Sequence, residues 1–186
     1  FRGSEEAPAS VGAMASLRRF TCDDLLEYNR VNVDVLTETY NLPFYLHYLA
    51  QWPEYFQRVQ GPGGTLMGYV MGKAEGEGEK WHGHVSAVTV APEYRRQGLA
   101  GVLMDLLEDI TENVHDGYFV DLFVRVSNAV AIGMYEKFGY TVYRRVLGYY
   151  GREDAFDMRK AMPRDVEKKS IVPLDRPVYP EELEND

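Results

Sequence analysis

Apolar residues recur at strand-like spacing over Ser16–Phe20, Tyr55–Gln60, Leu66–Ala74, Trp81–Val90, Tyr118–Val126, Thr141–Tyr150 and Ala155–Met162. Helical spacing alternates with them over Thr21–Asn29, Phe44–Trp52, Leu99–Val114 and Asn128–Phe138. The order is strand, two helices, three strands, helix, strand, helix, two strands. It predicts an α/β (α+β) single domain with a mixed sheet. Local chemistry supports the boundaries. Thr21 is a good N-cap, with Asp23 and Asp24 in the first turn, where the helix dipole favours acid. Pro43 opens its helix, Gly61-Pro62-Gly63-Gly64 reads as a turn, Asn128 caps a helix and Gly139 ends it. Helix Phe44–Trp52 carries Phe44, Tyr45, Leu46, Tyr48, Leu49 and Trp52 on more than one face. Such a helix is either wholly buried or covered by a partner.

The ends depart from this pattern. Residues 1–13 lack periodicity and read as a cloning remnant or a disordered extension, with Met14 a natural start. Residues 163–186 hold four prolines and many charges, which predicts an extended tail after a domain over 14–162. Composition adds exclusions. At 186 residues, one domain is expected. A net charge of −9 argues against nucleic-acid binding through a basic surface. Cys22 is the single cysteine, so no internal disulfide forms. The absence of a signal peptide and of a long apolar run predicts a soluble intracellular protein.

The chemistry concentrates in Val85–Ala100. An apolar strand is broken by Ala91-Pro92-Glu93, and Arg95-Arg96-Gln97-Gly98-Leu99-Ala100 then runs into a helix. A basic glycine-bearing loop at a helix N-terminus makes an anion site, because the first amides lack intrahelical partners. Gly98 lets the backbone approach a phosphate. The bland alternative is a solvated turn. Asn128 and Tyr135 stand seven apart on one later helix, so they share a side, with small Ala131 between them. By themselves they read equally as a cap and a core tyrosine. His47, His82, His84 and His115 show no ligand-like grouping with cysteine or carboxylates, and no metal is expected. Cys22 lacks a neighbouring histidine and is a poor acyl carrier.

The loop at Arg95–Ala100, followed by Asn128 to Tyr140 with its Phe138-Gly139-Tyr140 turn, resembles the GNAT acetyltransferase superfamily. Leu17–Leu25, Leu36–Tyr40, Trp52–Phe56, Gly68–Lys73, Phe123–Asn128 and Glu167–Ile171 narrow the resemblance to catalytic subunits of N-terminal acetyltransferase B (NatB). It covers Met14 to Glu182, with local departures at Glu75–Lys80 and Gly151–Ala155. It implies a GNAT fold, a mostly antiparallel central sheet flanked by helices and splayed at the acetyl-CoA site. It implies acetyl-CoA as cosubstrate, with Val88, Thr89 and Val90 offering a strand edge to its pantetheine arm. Arg95, Arg96, Gln97, Gly98, Leu99 and Ala100 would hold its phosphates, and Asn128 would bond the pantetheine.

Tyr135 would protonate the departing thiolate. An α-amine, of pKa about 7.7–8.0, needs only a weak base or a water relay. His84 is the best candidate, with reading of the substrate's second residue and a structural role left open beside it. The resemblance puts Glu38 and Tyr40 at the peptide entrance. Tyr149 and Tyr150, adjacent on an expected strand, would point to opposite faces, one closing over the peptide. The implied activity is acetylation of an initiator Met followed by Asp, Glu, Asn or Gln, by direct attack on the thioester. The implied partners are a large helical-repeat auxiliary subunit, the ribosome and nascent-chain N-termini, in the cytoplasm, with no membrane and no sequence-specific nucleic-acid contact. Two alternatives stand beside it: a GNAT enzyme acting on lysine or a small amine, and a non-enzymatic acyl-CoA-binding scaffold.

Overall fold

A computed structural model of the chain describes residues 9–10, 15–28, 31–32 and 37–185. Its strands are β1 (Ala9–Ser10), β2 (Ser16–Arg19), β3 (Gln57–Gln60), β4 (Leu66–Glu75), β5 (His82–Val90), β6 (Phe119–Arg125), β7 (Thr141–Val146) and β8 (Ala155–Ala161). Its α-helices are α1 (Leu42–Gln51), α2 (Leu99–Asn113) and α3 (Ala129–Lys137). The chain divides into two compact units at 71/72, 86/87 and 105/106, so that β4, β5 and α2 each contribute to both.

In the first unit the strand order is β1-β2-β3-β4-β5, with β1–β2, β2–β3 and β3–β4 antiparallel. Its core is aromatic. Phe20 stacks on Phe56 with ring centroids 4.2 Å apart, and Tyr69 meets Phe20 edge-on at 5.6 Å. Burying one such phenylalanine contributes about 1.5–3 kcal/mol. Tyr45 and Tyr69 are fully buried, and their hydroxyls share Asn32: Tyr69 donates to Asn32 Oδ1 (2.8 Å) and Asn32 Nδ2 donates to the Tyr45 oxygen (3.3 Å). Left unpaired, each buried hydroxyl would cost about 1–3 kcal/mol. α1 begins where expected, with Asn41 accepting from the Phe44 amide at 3.0 Å and proline in the first turn. Tyr45 and Tyr48 are buried, whereas Leu42 and Leu46 are 51% and 41% exposed, so one apolar stripe of α1 faces outward.

In the second unit the order is β4-β5-β6-β8-β7. β5 and β6 are parallel, while β6–β8 and β7–β8 are antiparallel. The β5–β6 register runs from His82↔Phe119 to Val85↔Leu122 and stops there, although β5 continues to Val90. A Cβ on Gly83 would lie 2.1 Å from Thr111 Oγ1 of α2. α2 therefore presses against the Gly83 side of β5, and the alternate residues His82 and His84 take the other side.

Two expected elements change. Thr21–Asn29 is not an α-helix as far as it is described: Cys22–Leu26 is a 3-10 turn. The buried Asp24 carboxylate explains it, since it accepts from the Thr21 amide (2.8 Å) and pairs with Arg18 (2.7 Å) and with buried Arg58. Asn29 lies outside the described residues. The strand expected over Thr141–Tyr150 ends at Val146, because Gly148 (φ +64°) and Gly151 (φ +76°) close a turn through a 2.9 Å Gly151 N–H to Gly148 carbonyl bond. Of 1–13, only Ala9–Ser10 is described, paired with Leu17 and Ser16. The 163–186 segment carries 3-10 turns at Lys169–Ile171 and Pro180–Asn185, and Val178 bridges to Val146.

Candidate active site

The first unit supplies the anion site. The Ala91 amide donates to the Met67 carbonyl (2.9 Å), fixing the end of β5, and Pro92–Tyr94 forms one 3-10 turn. Arg95 Nε donates back to the Val90 carbonyl at 3.1 Å. Arg96 (φ +64°) and Gly98 (φ +80°) are both left-handed. A Cβ at Gly98 would meet no heavy atom within 4 Å, so glycine is required there by the backbone angle and not by crowding from the protein. Such a turn gathers successive amides into an anion-binding concavity and delivers it to the α2 N-terminus. Arg96, Gln97 and Gly98 are exposed and Leu99 is buried, so the loop is anchored at the helix and open elsewhere. This arrangement fits a pyrophosphate.

The loop at 37–41 lies in the same unit. Thr37 and Thr89 share a hydroxyl hydrogen bond at 3.4 Å, which ties the loop to β5 within the Val88–Val90 stretch. Tyr40 stacks on Phe44 at 4.2 Å, and its amide donates to the Tyr45 hydroxyl at 3.3 Å. Glu38 is half-buried. Thr37 thus ties this loop to β5, while Tyr40 packs on α1.

The second unit holds the titratable groups. Asn128 caps α3 by accepting from the Ala131 amide at 3.2 Å, which leaves its Nδ2 hydrogens for other partners. Tyr135 is buried on the same helix, and burial pushes its hydroxyl well up, so it stays protonated at neutral pH. Its ring meets Tyr140 edge-on at 6.0 Å. The Tyr140 hydroxyl donates to Glu108 at 3.0 Å, and Lys160 also reaches Glu108.

His84 is not isolated, contrary to the expectation from sequence. Its Nδ1 lies 2.7 Å from Asp121 Oδ1. His82 Nε2 stands 3.5 Å from the same oxygen, and Glu75 Oε1 lies 3.9 Å from each imidazole. Glu75, His82 and His84 form a group with donor atoms close enough to hold a cation, which corrects the reading that the histidines lack carboxylate neighbours. The parallel register explains the cluster, since it sets His82 beside Phe119 and His84 beside Asp121. Burial alone would raise Asp121, but the adjacent His82 and His84 hold it well below the usual carboxylate range. Burial would lower His82, but Asp121 outweighs it and holds the imidazole above its ordinary value. His82 also stacks on Phe119 with ring centroids 4.4 Å apart.

Phe123, two residues beyond Asp121 on the same face of β6, joins this cluster to the tyrosine pair. It lies 5.6 Å from the His84 ring and 4.6 Å from Tyr149, stacked. The Tyr150 hydroxyl donates to the Phe123 carbonyl at 3.1 Å, and Arg125 lies 4.0 Å above the Tyr150 ring. Tyr149 and Tyr150 therefore do not take opposite faces of a strand; the glycine turn folds both onto Phe123. Sequence reasoning missed Glu75, His82, Asp121 and Phe123. The available signal was His82-x-His84, which puts two imidazoles on one side of a strand.

A basic left-handed loop that delivers its amides to a helix N-terminus, as Arg95–Leu99 does, is the kind of anion site that an acyl-CoA-dependent transferase uses. The acetyltransferase (GNAT) family model matches residues 20–140, and the chain belongs to that family. Its relatives include the "N-terminal acetyltransferase B complex catalytic subunit NAA20" of Arabidopsis thaliana, 64% identical over 93% of this chain and 100% of that protein. Among solved structures, Chaetomium thermophilum Naa20 in complex with a bisubstrate analogue superposes with a TM-score of 0.85 at 42% identity, covering 90% of this chain and 98% of that one. The NatB acetyltransferase complex bound to CoA and MES matches with a TM-score of 0.73 at 47% identity, over 80% of this chain and 99% of that one.

Proposed function

We infer that this chain is the catalytic subunit of a NatB-type protein N-terminal acetyltransferase, moving acetyl from acetyl-CoA to the α-amine of an initiator Met followed by Asp, Glu, Asn or Gln. The carrying observation is the 64% identity to a NatB catalytic subunit over all of that relative's length. The residue roles that go with this reading are as follows. Arg95, Arg96, Gln97, Gly98, Leu99 and Ala100 bind the cosubstrate's phosphates through loop amides and guanidinium charge. Val88, Thr89 and Val90 lie past the last β6 partner of β5, and they pair with the pantetheine amides as an added strand would. Asn128 bonds the pantetheine through the amide group its cap leaves over.

Glu38 and Tyr40 receive the peptide amine, the carboxylate attracting its charge. Tyr149 closes over the peptide, while Tyr150 is held by Phe123 and Arg125 as its support. His84 meets the substrate, and Tyr135 donates its proton to the leaving sulfur. The amine attacks the thioester carbonyl directly, the C–N bond forms, and the C–S bond breaks. Backbone donors of the β5 end stabilise the oxyanion.

The outward stripe of α1, Leu42 and Leu46, docks a large helical auxiliary subunit. Through that subunit the enzyme reaches ribosomes and nascent N-termini in the cytoplasm. Among the described residues no helix is long and apolar enough to cross a membrane. The test is acetyl transfer from acetyl-CoA to a Met-Asp peptide, a Ser-Ala peptide and a lysine peptide with a blocked N-terminus. The reading requires the first to be preferred over both others. Preference for the blocked peptide would instead establish a lysine acetyltransferase.

A further inference from the structure

The Glu75–His82–His84–Asp121 cluster reaches, through Phe123, the Tyr149 expected to close over the peptide. Asp121 is buried in β6 and flanked on β8 by Arg159, its register partner, with Asp157 also on β8 and Arg144 on β7. Arg159 and Arg144 pair with Asp157, at 3.1 Å and 2.8 Å. Asp121 instead faces the two imidazoles of β5, at 2.7 Å and 3.5 Å. Glu75 of β4 approaches the same rings from its more exposed position.

Hydrogen-bond direction follows from these partners. An ionised carboxylate only accepts, so the proton between Asp121 Oδ1 and His84 Nδ1 resides on His84. An imidazole protonated on Nδ1 alone carries its lone pair on Nε2. His82 is fixed differently. Its Nδ1 stands 2.6 Å from the Lys80 carbonyl, which also only accepts, and its protonated Nε2 side faces Asp121. His82 therefore offers both ring nitrogens to acceptors, whereas His84 is oriented by Asp121 through Nδ1.

We propose that Asp121 is the positioning residue that makes His84 the general base: it holds the Nδ1–H tautomer and presents Nε2 to the substrate amine, with His82 balancing its charge. The proposal rests on the acetyltransferase reading above and chooses among the roles left open for His84. In the step, the amine nitrogen bonds to the acetyl carbon and its proton passes to His84 Nε2. The C–S bond breaks, and Tyr135 gives its hydroxyl proton to the sulfur. Exchange with solvent returns a proton to Tyr135 and removes one from His84, so the net change is amine plus thioester to amide plus thiol. Asp121 and His82 touch neither substrate nor cosubstrate and act through His84.

The wild-type full chain, labelled with 15N-histidine, gives the first readout. A long-range 1H–15N spectrum, with His84 assigned through His84→Gln, should show neutral His84 protonated on Nδ1. A neutral ring protonated on Nε2 would overturn the proposal without any variant at Asp121. The second readout is Asp121→Asn, whose amide can donate to Nδ1 and force the opposite tautomer. We expect kcat on a Met-Asp peptide to fall about 10–100-fold, the tautomer to invert, and both KM values to stay within about threefold of wild type. A rise in peptide KM with kcat retained would make His84 a substrate reader and refute the base role. Loss of activity with EDTA, restored by Zn2+, would make the cluster a metal site and also refute it. If wild-type chain fails to acetylate the Met-Asp peptide, the functional reading falls, while the tautomer measurement still decides whether Asp121 sets His84.

Discussion

Tyr135 is buried on α3, and burial holds its phenol protonated far above neutral pH. A phenol in that state donates a proton and does not accept one. Tyr135→Phe removes only the hydroxyl, so kcat should fall about 100-fold while acetyl-CoA binding, read by titration calorimetry, changes less than about threefold. Unchanged turnover would refute the acid role. Asp24 offers a separate test of what holds the first unit together. Burial would raise its carboxyl, but bonds from Arg18 and the Thr21 amide and the charge of Arg58 bring it below its ordinary 3.8. A folded pKa below the unfolded one adds stability that is present above the unfolded value and disappears as pH falls through the folded one. Asp24→Asn should therefore cost about 3–5 kcal/mol at pH 7 in urea unfolding, since it strands the buried Arg58 charge. The difference from wild type should narrow steadily below pH 4. A pH-independent difference would mean that packing, not charge, is what the substitution removes.

Among the elements, the Arg96–Gly98 turn and the β5–β6 pair teach different lessons. The turn was legible because its chemistry is local: a strand break, two arginines and a glycine before an apolar helix. What the sequence could not show is why Gly98 is glycine. Its open side carries no crowding, and its φ of +80° is the constraint. Gly98→Ala should cost about 1–2 kcal/mol in stability and raise the acetyl-CoA KM as the loop amides lose alignment, with little change in kcat at saturation. An unaltered KM would remove the loop from phosphate binding. The histidine cluster was illegible for the opposite reason. His84 and Asp121 are 37 positions apart, and only the parallel register brings them together. Likewise the Tyr149–Tyr150 pair read as strand because its residues favour strands. Two left-handed glycines and the Asp154 carboxylate, accepting from the Gly148 amide at 2.8 Å, turn the chain instead.

For the whole molecule, hydrophobic periodicity recovered every α-helix and all strands but β1 among the described residues, with some edges matching and others shifted by up to four residues. The exception among the helical stretches was the Cys22–Leu26 turn, where tertiary ion pairs override local propensity. α1 kept the ambiguity seen in its sequence: one face is core, and Leu42 and Leu46 remain outside. If that stripe receives the auxiliary subunit, Leu42→Ser with Leu46→Ser should weaken co-purification of the two subunits while leaving the thermal midpoint of the isolated chain within about 2 °C, since surface substitutions rarely exceed about 0.5 kcal/mol. Undiminished association would place the auxiliary subunit elsewhere.

The central claim is that this chain acetylates protein N-termini of the Met-acidic or Met-amide class. The most direct measurement is kcat/KM for otherwise identical peptides beginning Met-Asp, Met-Lys and Ser-Ala, with the chain assembled with its auxiliary subunit and supplied with acetyl-CoA. The account predicts that Met-Asp exceeds each of the others by at least about 10-fold, the discrimination of about 1.4 kcal/mol expected from one well-read side chain. Equal rates on all three peptides, or a preference for Ser-Ala, would contradict it.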